Sequence, residues 1–136
     1  MNHSDGIIEL AKALTKAQGE LEGSKKSGFN PFTKSNYITL ADGWSVARPA
    51  LANNGLSIVQ GCRVTEQTPV HIIVQTMLLH ESGEWITNEV DLVPKTTDPQ
   101  GIGSAMTYGR RYGLFAMIGL TADEDDDGNR ASGNTS

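Results

Sequence analysis

Apolar residues recur every three or four positions in the first part of the chain and every two in the middle, and this change of period divides the sequence into elements. Ile7, Leu10, Ala11, Leu14, Ala17 and Leu21 predict an amphipathic helix from Asp5 to Leu21, with Ser4 or Asp5 as its N-cap. Gly23 to Pro31 brings Gly, Ser, Asn and Pro together without an apolar period, which predicts a loop. Leu40, Trp44, Ala47 and Leu51 place a second helix over about Thr39 to Asn53, stopped by Asn54-Gly55 and kinked or broken at Pro49. From Leu56 the period is two: Leu56, Ile58, Cys62 and Val64 alternate with Ser57, Gly61 and Arg63. Val70 to Leu79 is β-rich on both faces, Glu81 to Glu84 is a turn, and Ile86, Val90 and Leu92 alternate through Trp85 to Val93. Pro94 to Gly103 reads as a polar Pro/Gly loop before a long helix from about Ile102 to Gly119. The expected fold is α+β: an antiparallel three-stranded β-meander with helices on one face.

Projected at about 100° per residue, the last helix puts Ala105, Tyr108, Tyr112, Phe115 and Gly119 on one stripe, the expected core face. Gly103, Thr107, Arg110 and Arg111 fall in the adjoining sector, which Leu114 and Ile118 continue in the later turns. A backbone-contacting patch beside a packing or subunit-contact patch has this form.

The chain of 136 residues is 38% hydrophobic and 20% charged, which suits one globular domain. With Cys62 alone no disulfide framework can form, no apolar run reaches the roughly 18 residues of a membrane span, and Met1 to Asp5 lacks a signal-peptide pattern. The expected compartment is reducing cytoplasm.

A net charge of −5 speaks against a nucleic-acid partner until its distribution is considered. Asp123 to Asp127 are five consecutive acids followed only by Arg130, so residues 123–136 carry −4 and residues 1–122 about −1. This divides the chain into a domain over 1–122 and an acidic, flexible tail over 123–136. Within the domain, Ser24 to Tyr37 holds Lys25, Lys26 and Lys34 with no acid, interleaved with Phe29, Phe32 and Tyr37. Such a segment is either a plain loop with aromatic anchors or a single-strand contact, lysines on phosphates and rings on bases. Pro99 to Ala122 holds Arg110 and Arg111, again with no acid. Either these arginines face phosphates, or one of them pairs with Glu89 or Asp91.

Enzymatic constellations are missing from the chain. No GxxxxGK[ST] phosphate cradle exists for ATP-driven chemistry, and His3, His71 and His80 have no metal-ligand spacing. Cys62 alternates with core-facing positions as a small buried residue does, and no nucleophile stands beside a base. Asp123, Asp125, Asp127 and Gly128 match the first half of a calcium loop, but Asn134 stands where the bidentate Glu belongs. The run is a solvated helix exit, a docking element or a divalent-ion site. A metal-dependent nuclease built on it is disfavoured, because contiguous carboxylates make a poor two-metal cage.

Three stretches together, NPFTKSNYITL (Asn30 to Leu40), LANNGLSIVQ (Leu51 to Gln60) and DPQGIGSAMTYGRRYGLFAMIGLTADEDDDGN (Asp98 to Asn129), resemble the ERF (essential recombination function) family of phage single-strand annealing proteins. The resemblance implies an ATP-independent, non-enzymatic protein that binds single-stranded DNA, assembles into homo-oligomeric rings or filaments, and pairs complementary strands in recombination. It also implies a β-β-β-α core similar to the eukaryotic recombination annealases, action in the cytoplasm of a bacterial host, and cooperation with a phage exonuclease or host single-strand-binding protein. No cofactor, metal or membrane is implied. Carried over by position, Lys34 and Tyr37 match the family's K-S-x-Y segment, and Ser104, Thr107, Tyr108, Arg110, Arg111 and Tyr112 its most characteristic helix. The implied phosphate contacts are Arg110, Arg111 and Lys34, with Thr107 and Tyr37 beside them and Lys25, Lys26 and Lys95 on loops along the same groove. Tyr108 and Tyr112 are expected in the core, and Gly101 and Gly103 are expected to offer backbone N–H groups to an anion. Two or three phosphates per subunit predict a log-log salt slope of roughly −1.4 to −2.1. A passive coating protein is the alternative reading.

Overall fold

A computed structural model describes residues 1–26 and 39–120. The chain runs β1 (Asn2–His3), α1 (Ile8–Lys26), α2 (Leu40–Asn53), β2 (Leu56–Val64), β3 (Ile72–His80), β4 (Trp85–Leu92) and α3 (Pro99–Ile118). The expected meander β2-β3-β4 is present, fully antiparallel, with Ile58 opposite Leu78 and Leu78 opposite Ile86. The sheet has four strands rather than three, in the order β1-β4-β3-β2, because Asn2 and His3 add an edge strand against Thr87 and Ile86. Ser4 extends that attachment, its N–H donating to the Trp85 carbonyl and its hydroxyl accepting from the Trp85 N–H. A two-residue strand carries no periodicity, so nothing in the hydrophobic pattern announces it.

Even-numbered positions of the sheet face the three helices. Leu56, Leu78, Ile58 and Ile86 pack with Leu10, Ala13, Ala17 and Leu21 of α1, with Val46, Ala47, Ala50 and Leu51 of α2, and with Leu114, Met117 and Ile118 of α3. A second, smaller cluster lies under the first half of α3, where Ile72, Val74 and Ala105 meet Cys62, Ile102 and Met106. Leu114 and Ile118 are therefore buried core within this chain and not a patch for another subunit.

Helix boundaries follow their caps. Thr39 and Asp42 form a reciprocal capping box at the start of α2, and the helix continues through Pro49 without a break. At α1 the Leu10 N–H donates to Glu84 Oε1 at 2.8 Å, so a carboxylate before β4 caps this helix in place of Ser4 or Asp5. α1 also extends to Lys26, which places Lys25 and Lys26 on a helix rather than on the expected loop. α3 begins three residues earlier than the periodicity suggests, with Asp98 as N-cap and Pro99 at the first helical position, and ends at Gly119 with φ of 76°. Among the described residues, no helix is long and apolar enough to cross a membrane.

Candidate nucleic-acid interface

The orientation of α3 is set by small residues. A Cβ on Gly109 would collide with Val74, and one on Gly113 with the Thr76 hydroxyl, so the helix backbone rests almost directly on β3. Across the sheet beneath it, Gln60, Thr76 and Asn88 are in register. Gln60 Nε2 donates to Thr76 Oγ1 and to the Arg110 carbonyl, both at 2.9 Å, and Asn88 Nδ2 donates to the Gly113 carbonyl at 3.4 Å. This polar row lies between the two apolar clusters and ties the middle of α3 to the sheet.

With Ala105, Gly109 and Gly113 against the sheet, no room is left there for an aromatic ring. Tyr108 and Tyr112 lie on the outer side instead, 52% and 48% exposed, which corrects their expected place in the core. Their ring centroids are 5.5 Å apart with planes inclined by 31°. The Arg111 guanidinium lies over both, 4.9 Å from the Tyr108 centroid and 5.0 Å from that of Tyr112. Arg110 and Thr107 are exposed on the same helix, the Thr107 hydroxyl donating to the Gly103 carbonyl at 3.1 Å. No acidic residue stands on α3.

The alternative of an ion pair with Glu89 or Asp91 does not hold. Both acids are at odd positions of β4, on the face of the sheet away from the helices, and Asp91 meets His71 at 2.6 Å. Arg110 forms no salt bridge among the described residues.

The start of α3 differs from the expected anion site. Asp98 Oδ1 accepts from the Gly101 N–H at 2.8 Å and from the Thr96 hydroxyl at 2.9 Å. These two bonds hold the Asp98 carboxyl below the usual aspartate value. The Gly101 N–H is thus already used, Gly103 lies inside the helix ladder, and a carboxylate occupies the end where a phosphate was expected. Beside this cap, a groove of about 620 Å³ runs between the segment after β4 and the first turns of α3, with Lys95, Ser104 and Tyr108 in its lining. A second hollow of about 550 Å³ adjoins it along Gly103, Thr107 and Tyr108.

Of the candidate residues, Thr107, Arg110 and Arg111 therefore stand on the side of α3 away from the sheet, and Lys95 lines the groove near its N-terminal end. Lys25 and Lys26 stand at the end of α1, the helix whose Gln18 donates to the Ile118 carbonyl at the far end of α3. Lys34 and Tyr37, like the acidic run Asp123 to Asp127, lie outside the described residues. A projection by apolarity does not find the exposed tyrosine pair, because it takes the larger rings as the inner face; the alanine and glycines at steps of four are the signal that finds the true one. Gln60 and Asn88 were also missed, although polar residues at inward positions of predicted strands mark them.

No curated protein and no solved structure matches the chain, so the likeness to eukaryotic annealases has no structural match behind it. The model of the ERF superfamily matches residues 10–136, nearly the whole length, and takes in α3 with its tyrosines and arginines. The chain belongs to the ERF superfamily.

Proposed function

We propose that the protein is an ATP-independent single-strand annealing protein of phage recombination, acting without enzymatic chemistry. The observation that carries this reading is the outer side of α3, where Arg110, Thr107 and an Arg111-capped tyrosine pair stand on a helix without a single acid. Membership of the ERF superfamily, a family of phage single-strand annealing proteins, supports it. Cations on this helix neutralise phosphates, and the exposed rings offer π-faces to bases irrespective of sequence.

Annealing needs two strands that repel each other to be brought together with their base edges accessible. A basic surface repeated along the strand screens that repulsion, and repetition turns a weak contact per subunit into stable binding. The proposal therefore includes a homo-oligomer, ring or filament, acting in the bacterial host cytoplasm beside an exonuclease or a single-strand-binding protein.

The test is the pairing rate of two labelled complementary oligonucleotides, without ATP and at low salt. Wild-type protein should accelerate pairing, and a folded Arg110→Ala/Arg111→Ala variant should lose the acceleration. Binding without acceleration would replace this reading with passive coating of single strands. Cleavage of the strands in the presence of Mg²⁺ would overturn the non-enzymatic reading.

A further inference from the structure

An open groove lies at the start of α3 beside the segment that follows β4. Its volume of about 620 Å³ is ample for a nucleotide, and Leu92 and Ala105 give it an apolar floor. Tyr108 forms one wall and also lines the adjoining hollow, so the ring stands between two concavities. Side chains on a helix lean toward its N-terminus, which brings the Tyr108 ring over Ser104 and into the groove. On its other side the ring is backed by Arg111 and Tyr112. A phenol held in this way is a stiff stacking surface.

We propose that this groove takes a single unstacked nucleobase of the bound strand, stacked on Tyr108, with a flanking phosphate on Lys95. The inference rests on the single-strand-binding reading above and adds a base site to a surface otherwise described by its backbone contacts. The charges of the lining decide which end of a nucleotide enters. Asp98 lines the groove and stays ionised, because its oxygen is held by Gly101 and Thr96. A carboxylate repels a phosphate but accepts from the amino and imino groups of a base edge. Ser104 and Gln100 add groups that both donate and accept. A phosphate is left to the exposed cation Lys95, at the edge of the same lining.

The experiment compares a single-stranded oligonucleotide with an abasic strand of the same length and backbone charge, titrated against wild type, Tyr108→Ala and Tyr108→Phe. Since Tyr108 is an exposed side chain, both variants should fold, and circular dichroism checks this. Wild type and Tyr108→Phe should prefer the base-bearing strand, and Tyr108→Ala should lose about 5- to 150-fold on that strand alone, the range for one base-on-ring stack. A 2-aminopurine in the strand should change fluorescence on binding wild type and not on binding Tyr108→Ala. Equal loss on both strands, or no loss on either, overturns the base site while leaving single-strand binding intact. Failure of wild type to bind either strand overturns the functional reading and the base site with it.

Discussion

Asp98 stands where the sheet ends and α3 begins, and its carboxylate couples the start of that helix to pH. Hydrogen bonds from the Gly101 N–H, and then from the Thr96 hydroxyl, lower its proton affinity in the folded protein. A carboxyl whose folded-state value lies below its unfolded one stabilises the fold fully at neutral pH, and that contribution disappears as the pH falls through the lowered value. Glu20 acts in the same direction through Asn53 and Asn54. Urea unfolding followed from neutral pH into the acid range should show this loss, and Asp98→Asn, which keeps a capping side chain but cannot titrate, should show a shallower one. An unchanged pH dependence would mean that the cap does not hold the helix start. This cap was legible in the sequence as Asp98-Pro99, an N-cap followed by proline at the first helical position. The Pro and Gly content of residues 94–103 hides it as a loop. At α1 the capping carboxylate comes from Glu84, 74 positions from Leu10, and no local reading reaches that far.

The element on which the account turns is α3, and its seating can be tested apart from any ligand. Gly109→Val should push the helix from Val74 and cost about 1–3 kcal/mol in unfolding free energy, as overpacked cores do. Gly103 has open space around the position of an added Cβ, so Gly103→Ala should stabilise the helix by about 0.5–1 kcal/mol. Equal effects at the two sites would contradict the close approach. The existence, order and type of the three helices and of β2 and β4 are readable from period, because each buries one face against a common core, and β3 is readable from its β-rich composition on both faces. The facing of α3 is not, since its contact with the sheet depends on Ala105, Gly109 and Gly113, residues whose importance is their lack of bulk. Apolarity points Tyr108 and Tyr112 inward, whereas the structure exposes both.

At the scale of the whole molecule, the helices cover one side of the sheet and α3 carries cations along its outer face. A helix of 20 residues is about 30 Å long; Lys95 is exposed before its start, and Arg110 and Arg111 stand in its second half. Whole-chain charge conceals these cations, because five acids sit together at Asp123 to Asp127 and dominate the sum. The most direct measurement of the central claim is the salt dependence of single-stranded DNA affinity for wild type and for folded Arg110→Ala/Arg111→Ala. If the outer face of α3 holds two phosphates, the log-log slope should become less negative by about 1.4 in the double variant, at about 0.7 per phosphate. An unchanged slope, with affinity retained, would place the DNA on another surface and contradict the account.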